Sequence, residues 1–182
     1  PHKSIAQCTG VFFDQREKFG HDGEWTEAGE VYIVMPLVEG QELFKINNPG
    51  NKRLKKADKK AIAAQFVSAL AHMHASKVLH RDIKPENALY DLKTKQLTII
   101  DFGWSVKLTK TKTKGLAGTP EFLAPEMIRE QSYDYSVDVW SGGAFLFEVF
   151  TSRSLFFAKN DQTNLWLKIL QSQDGLTQYM TR

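Results

Sequence analysis

The first part of the chain alternates short apolar runs with polar stretches, the usual pattern of β-strands joined by turns. Apolar and aromatic residues cluster over residues 7–13 and again over residues 31–38. The stretch between these clusters is polar and contains Gly20, Gly23 and Gly29. The pattern therefore predicts two antiparallel strands with a long hairpin connection.

Helical periodicity dominates the rest of the chain. Over residues 59–76 apolar side chains recur every three or four positions, which predicts an amphipathic helix with Asp58 as its N-cap. Residues 136–151 are apolar on nearly every helical face, so we expect that helix in the middle of the domain. Shorter helices are expected over residues 43–46 and 164–170.

Length and composition are those of a globular domain. The chain has 182 residues, 42% hydrophobic and 25% charged, which suffices for one core. Its longest apolar run, residues 31–38, is far shorter than the ~20 residues of a membrane span. Cys8 is the only cysteine, so we expect no internal disulfide and a reducing, cytoplasmic or nuclear location. The first residue is Pro1, so we expect a piece of a longer protein.

The net charge of +3 conceals a strong asymmetry. Residues 45–114 carry 16 basic and 5 acidic residues, whereas the segments before and after them have net charges of −5 and −3. Such an excess attracts phosphate or another polyanion, or it is an ordinary solvated, lysine-rich surface. No aromatic residue lies within the basic run 52–60, so we expect no nucleic-acid partner.

Two polar motifs flank a pair of short strand-like segments. HRDIKPEN, at residues 80–87, precedes the segment 88–90, and DFG, at residues 101–103, follows the segment 97–100. Each motif is a weak signal alone. Together, in this order and beside predicted strands, they indicate one site.

The motif residues are of the types that phosphoryl transfer from a nucleotide requires. Asp82 supplies an acid–base carboxylate, and Lys84 supplies positive charge for the phosphoryl oxygens. Asn87 and Asp101 supply oxygen ligands of the kind that Mg²⁺ prefers.

These motifs resemble the signatures of the protein kinase family. The third family signature, A-P-E, is present at residues 124–126. Gly118-Thr119 and DVWSGG, at residues 138–143, also look like the family's pattern. The resemblance therefore extends over essentially the whole chain.

Smaller sequence features resemble particular branches of the family. K-P-E-N, with Lys84, and GTPEFLAPE, with Thr119, resemble the serine/threonine branch. EGQELF, at residues 39–44, resembles calmodulin-dependent kinases, whereas DFGWSV, at residues 101–106, resembles Aurora-type kinases. GTPEFLAPE is also similar to cyclic-nucleotide-dependent kinases. Only the serine/threonine branch is assigned.

The resemblance implies a truncated protein-kinase fold of the α+β class, a single incomplete domain over residues 1–182. Residues 1–38 are expected to form a remnant of the antiparallel N-lobe sheet and the hinge, and residues 39–182 a mostly helical C-lobe. The family's glycine-rich loop, strand lysine and helix glutamate are not found in the sequence. The C-terminal helices that supply the arginine partner of Glu126 are also missing, so we expect Glu126 to be unpaired or solvated.

Roles within the motifs follow from the same resemblance. Asp82 corresponds to the base that accepts the proton of the substrate hydroxyl, and Asn87 and Asp101 to the ligands of the two magnesium ions that accompany ATP. Three further residues resemble structural supports of this site: His80, Phe102 and Asp138.

Residues 35–38 resemble the hinge that holds adenine, with Met35 as the gatekeeper. Many relatives carry Glu where Pro36 stands. Proline keeps its carbonyl, so adenine binding through the backbone of Pro36 and Val38 remains possible. Leu89 corresponds to the apolar floor beneath the ring, a role compatible with an ordinary strand residue.

Glu42 and Glu86 are grouped with the cofactor-binding residues. They match positions that in several basophilic kinases attract arginines preceding the acceptor, which implies protein substrates with upstream basic residues. The alternative is that they are ordinary surface carboxylates.

Arg81 suggests control by a phosphate on the activation segment, residues 101–126. The position four before Thr119, where many relatives carry the activating threonine, is Gly115. Thr113 is therefore the candidate phosphosite. A flexible Lys/Thr loop without a regulatory phosphate is the alternative.

The expected function is transfer of the γ-phosphoryl group of Mg-ATP to Ser or Thr hydroxyls of protein substrates. The trio Asp82, Asn87 and Asp101 supports an active kinase of which this chain is a part. The alternative is a truncated pseudokinase that acts as a non-catalytic binding module. The 182-residue chain by itself is expected to be inactive and to bind nucleotide weakly.

Overall fold

A computed structural model describes seven stretches of the chain: residues 1–14, 17–19, 25–27, 30–48, 50, 54–158 and 161–180. The three glycines of the predicted hairpin connection, Gly20, Gly23 and Gly29, lie outside the described residues. Among the described residues no helix is both long enough and apolar enough to span a membrane.

The first four strands form two separate antiparallel pairs. β1 (Gly10–Asp14) pairs with β4 (Glu30–Val34), and β2 (Glu17–Phe19) pairs with β3 (Trp25–Glu27). The antiparallel arrangement is as predicted, but the second pair lies within the predicted connection. β4 ends at Val34, before residue 38, because Pro36 has no N–H to donate to a ladder.

Helices make up most of the remaining chain: α1 (Leu43–Ile46), α2 (Lys56–Ala75), α3 (Pro125–Ile128), α4 (Ser136–Thr151) and α5 (Gln162–Met180). The prediction of Asp58 as the N-cap of α2 is wrong, because the helix already begins at Lys56. Asp58 lies in the first turn, where its Oδ2 accepts a hydrogen bond from Lys55 N at 3.0 Å. The helix predicted over residues 164–170 extends further in both directions.

Short strands connect the catalytic motifs to these helices. β5 (Gln41–Glu42), β7 (Ala88–Asp91) and β8 (Gln96–Ile99) form a three-stranded antiparallel sheet. β6 (Val78–Leu79) pairs with β9 (Val106–Lys107). HRDIKPEN therefore lies between β6 and β7, and DFG between β8 and β9, so both motifs emerge beside one core.

The main core lies between α2, the β7–β8 hairpin and α4. Its largest fully buried side chains include Phe66, Tyr90 and Phe145. The rings of Phe66 and Phe145 pack with their centroids 4.5 Å apart and their planes tilted by 33°. A second core cluster joins the end of the activation segment to the first turn of α4 through Tyr133 and Val137.

The apolar helix α4 is buried on one side only. Phe145 and Val149 are fully buried, whereas Val139, Phe147 and Phe150 are between 39% and 58% exposed. The expected position in the middle of the domain therefore holds for one face of α4 and not for the other. The inward face packs closely on α2, because a Cβ at Gly142 would lie 3.0 Å from the ring of Phe66.

We expect Gly142→Ala to lower the free energy of unfolding by about 1–3 kcal/mol, since the added methyl group would overpack the Phe66 ring. Gly143→Ala is the matched control, because Gly143 is exposed and a Cβ there meets nothing within 4 Å. Alanine at that position stabilises the helix by up to about 1 kcal/mol. Urea unfolding measures both, and equal effects would contradict the proposed close packing.

Candidate active site

The loop over HRDIKPEN, residues 80–87, which the family resemblance identifies as the catalytic loop, is anchored by a buried carboxylate on α4. Asp138 accepts hydrogen bonds from the backbone N–H groups of His80 at 2.8 Å and Arg81 at 2.9 Å. His74 Nε2 lies 3.1 Å from the same carboxylate. Arg81 adopts a positive φ of 68°, which a non-glycine residue rarely adopts. The two hydrogen bonds to Asp138 hold the loop in that conformation.

The anchored loop presents Asp82 to a compact polar network. Asp82 Oδ1 accepts a hydrogen bond from Thr119 Oγ1 at 2.7 Å. Asp82 Oδ2 accepts one from Asn87 Nδ2 at 2.8 Å and faces Lys84 Nζ at 2.9 Å. Lys84 Nζ also donates to Thr119 Oγ1 at 2.7 Å. Two residues of the catalytic loop and one of the activation segment therefore contact the carboxylate of Asp82.

Among the described residues, the network leaves one acceptor position of Asp82 without a donor. A carboxylate has about four lone-pair sites, and the three donors use both sites of Oδ2 and one site of Oδ1. Burial alone raises the pKa of Asp82, whereas its hydrogen bonds from Thr119 and Lys84 outweigh that effect and hold the pKa below its usual value. Asp82 is therefore an ionised acceptor at neutral pH with its free lone pair on Oδ1.

His80 supports the loop as a neutral ring. It is fully buried, and burial lowers its pKa despite the nearby Asp138 carboxylate. Its Nδ1 accepts from Asp82 N at 3.3 Å, which leaves Nε2 to donate to the carbonyl of Ile100 at 3.3 Å. The ring packs on Phe102 at 4.8 Å between centroids. HRD and DFG are thus in direct contact.

The predicted metal ligands have the chemistry of a magnesium site. Asn87 donates to Asp82 through its amide nitrogen. These two hydrogen bonds do not use its amide oxygen, the atom that would bind a metal. Asp101 is exposed, and its Oδ1 accepts a hydrogen bond from Gly103 N at 3.1 Å. Within the described stretches no group of three or more His, Cys, Asp or Glu side chains could hold a metal. One carboxylate and one amide fit Mg²⁺, which keeps water and phosphate oxygens as its other ligands.

The predicted adenine residues lie on two neighbouring segments. Met35, Pro36 and Val38 follow β4 outside any helix or strand, and Met35 is 54% exposed. Leu89 is half-buried on β7, opposite Glu42 in the β5–β7 register. The chain leaving the hinge therefore passes directly beside Leu89.

The two predicted acidic residues differ in their surroundings. Glu42 forms a 2.7 Å ion pair with Lys45, so its charge is already compensated. Glu86 has a buried Oε2 atom without a hydrogen-bond partner. Burial, followed by the charges of Glu86 and Glu121, raises the pKa of Glu148. Glu148 was not predicted, although a carboxylate within the apolar helix α4 is a signal in the sequence.

The activation-segment residues are held in different ways. Thr119 bonds to Asp82 and Lys84, as described above. Thr113 is half-buried and pairs with Tyr133 through two backbone hydrogen bonds of 2.9 Å. Glu126 was expected to be unpaired or solvated, but that expectation is wrong, because its Oε1 accepts a hydrogen bond from Ser136 Oγ at 2.8 Å. The start of α4 lies close enough to replace a distant partner.

The chain matches one protein family over nearly its whole length. The family model described as "Protein kinase domain" matches residues 2–180. An Aurora kinase of Dictyostelium discoideum is 33% identical over 172 residues, which cover 94% of this chain and 40% of that protein. The cAMP-dependent protein kinase catalytic subunit 2 of Drosophila melanogaster is 37% identical over 155 residues, 83% of this chain and 42% of that protein. The chain thus spans less than half the length of these relatives.

We expect Asp138→Asn to destabilise the fold by about 1–3 kcal/mol, because an amide NH₂ would then face one of the two backbone N–H donors. Asp134→Asn is the matched control, since Asp134 Oδ1 accepts from Ser136 N at 3.0 Å and asparagine can accept the same bond. Urea unfolding of both variants measures the difference. A loss for Asp138→Asn no larger than that of the control would contradict the anchoring role.

Proposed function

Because the chain belongs to the protein kinase family, we propose that it carries the catalytic residues of an ATP-dependent serine/threonine protein kinase. The predicted family and α+β fold class are confirmed. The proposed reaction is transfer of the γ-phosphoryl group of Mg-ATP to a Ser or Thr hydroxyl of a protein substrate. The observation that carries the proposal is the hydrogen-bonded network of Lys84, Asn87 and Thr119 around Asp82.

Asp82 is proposed to orient the substrate hydroxyl. Its open lone pair on Oδ1 accepts the hydroxyl proton as a hydrogen bond, and the other donors keep the carboxylate from rotating. A lowered pKa makes Asp82 a weak base, so it takes the proton late. That suits a transition state in which positioning matters more than early proton removal.

Lys84 is proposed to act on the transferred phosphoryl group. Its ammonium lies between Asp82 and Thr119, beside the position of the incoming hydroxyl. Positive charge at this point stabilises the charge carried by the phosphoryl oxygens in the transition state. Thr119 shares both partners, so the network fixes Lys84 and Asp82 relative to each other.

Asn87 and Asp101 are proposed to hold magnesium with the nucleotide phosphates. Bound Mg-ATP would supply the phosphoryl group that is transferred. Pro36 and Val38 are proposed to receive the adenine through their backbone groups, with Met35 as the gatekeeper and Leu89 beneath the ring. Support comes from the donor set and from the position of Leu89 beside the chain that leaves the hinge.

The preferred substrates are proposed to carry a basic residue before the acceptor. Burial and the charges of Glu86 and Glu121 raise the pKa of Glu148. A guanidinium would compensate these carboxylates and satisfy the buried Glu86 oxygen. Glu42, which is paired with Lys45, contributes only if Lys45 releases it. The carboxylate cluster therefore replaces Glu42 as the main candidate for this preference.

Two further expectations complete the proposal. The exposed free thiol of Cys8 is compatible with a reducing location in the cytoplasm or nucleus. A non-catalytic binding module is the other candidate function, and it would be favoured if the unaltered full-length protein, assayed with Mg-ATP and a peptide library, transferred no phosphate.

We expect Asp82→Asn in the full-length protein to reduce kcat by about 10²–10⁴-fold, because an amide cannot accept the hydroxyl proton. Asp161→Asn is the matched control, since Asp161 is exposed and caps α5 through Asn164 N, a role that asparagine also fills. Incorporation of labelled phosphate into a Ser/Thr peptide measures both. Equal activity of the two variants would refute the catalytic assignment of Asp82.

We expect Glu148→Gln to raise KM about tenfold for a peptide with an upstream arginine, and to leave KM unchanged for the same peptide with alanine. Glu130→Gln, at an exposed position, is the matched control. Because the pKa of Glu148 is raised, the carboxylate protonates at a higher pH than an ordinary glutamate. As pH falls, KM for the arginine peptide should therefore begin to rise at a pH above the ordinary pKa of glutamate. The Glu148→Gln variant should not show that rise. A pH-independent KM in the unaltered protein would contradict the assignment.

A further inference from the structure

The guanidinium of Arg81 already has partners in the unmodified chain. Its Nε donates to the carbonyl of Trp104 at 2.6 Å, and its Nη1 donates to the hydroxyl of Tyr133 at 3.1 Å. Arg81 was predicted to bind a phosphate on the activation segment. Two of its five N–H groups instead bind uncharged oxygens of this chain.

Tyr133 connects Arg81 to the middle of the activation segment. The side chain is only 2% exposed, and its hydroxyl donates to the carbonyl of Gly115 at 2.7 Å. Its backbone forms both hydrogen bonds of an antiparallel bridge with Thr113. A single residue therefore holds the segment through its side chain and through its main chain.

Gly115 occupies the position where many relatives carry the activating threonine. It has no side chain to modify, and it adopts a φ of +107° that favours glycine. No heavy atom lies within 4 Å of a Cβ built there, so the glycine serves the backbone conformation and not a tight contact. That conformation supports the carbonyl geometry that Tyr133 binds.

The restraint continues to the catalytic carboxylate. Gly118 adopts a φ of +109°, and a Cβ there would collide with the carbonyl of Arg81. The segment thus packs directly against the catalytic loop at Gly118. Thr119 follows immediately and donates to Asp82. Release of the segment at Tyr133 would therefore loosen the donor that orients the Asp82 carboxylate.

We propose that Tyr133 is a positioning residue whose hydroxyl, placed between Arg81 and the Gly115 carbonyl, holds the activation segment against the catalytic loop without a phosphate. Its effect on catalysis rests on the proposed kinase function, whereas its effect on the segment does not. The neutral hydroxyl of Tyr133 connects Arg81 to the activation segment, a role that the sequence had suggested for a phosphate group. Phosphorylation of Thr113 is accordingly not required for order in this segment.

The first experiment measures the segment itself. Trypsin cleaves after Lys110, Lys112 and Lys114, which are exposed in this part of the chain. In the full-length protein, Tyr133→Phe should increase the rate of cleavage at these lysines about tenfold, because it removes both hydroxyl bonds. Tyr135→Phe, a nearby single-hydroxyl deletion, should change it less than about twofold. Mass spectrometry identifies the cleaved bonds.

Two further arms separate this inference from a phosphate switch. Phosphatase treatment, and replacement of Thr109, Thr111 and Thr113 by alanine, should leave cleavage slow. Arg81→Lys should increase the cleavage rate. In the double variant with Tyr133→Phe, the increase should be smaller than the product of the two single increases, because both substitutions break the same connection. Unchanged cleavage in Tyr133→Phe, or faster cleavage after dephosphorylation, would overturn the proposal.

The catalytic arm uses the same full-length variants. Tyr133→Phe should raise KM for the peptide substrate at least fivefold while KM for ATP stays within twofold, because the segment carries Thr119, which orients the carboxylate proposed to bind the peptide hydroxyl. Equal rises in both constants would contradict a positioning role. If the unaltered protein has no phosphotransfer activity, the proposed function fails, and the trypsin arm still decides the role of Tyr133.

Discussion

The arrangement of this site depends on one buried ion, the carboxylate of Asp138. A buried charge without partners is costly, and Asp138 is satisfied by the main chain of the catalytic loop and by His74. Because both oxygens bind successive backbone N–H groups, the loop cannot turn without leaving the charge unpaired. The left-handed conformation of Arg81 and the direction of Asp82 follow from this constraint. Helix α4 packs closely on α2 at Gly142. Through Asp138 it thereby sets the position of the Asp82 carboxylate, which lies on the catalytic loop.

The second level of organisation is the sharing of partners. Thr119 is bound by Lys84 and binds Asp82, and Asn87 and Lys84 approach the same oxygen of Asp82. Shared polar networks in a low dielectric resist small displacements, because each displacement weakens several interactions. Tyr133 is a second shared partner, because its uncharged hydroxyl binds both Arg81 and the carbonyl of Gly115 in the activation segment. Two of the N–H groups of Arg81, the residue expected to bind a phosphate, thus already bind uncharged oxygens within the fold.

Much of the fold was predictable from periodicity. The bounds of α4 match the predicted residues 136–151, and α2 and the β7–β8 hairpin lie where the pattern indicated. The surroundings of individual carboxylates did not follow from periodicity. Glu126 accepts a hydrogen bond from Ser136, ten positions along the chain, and Glu42 is paired with Lys45, three positions along. The basic excess was also ambiguous, and part of it is now explained, because Lys45, Lys59, Lys84 and Lys95 all contact partners within the chain.

The sequence by itself determined the chemical types of the site and their order, because spacing within HRDIKPEN and DFG is local and each motif keeps its own geometry. Only the tertiary structure decided what those residues touch. Asp82 and Thr119 are 37 positions apart, Arg81 and Tyr133 are 52 apart, and Arg81 and Asp138 are 57 apart. Separations of this size carry no periodic signal, since the contacts form only when α4 and the activation segment pack against the catalytic loop. The glutamate cluster around Glu148 and the hydroxyl of Tyr133 acquired their candidate roles through that packing.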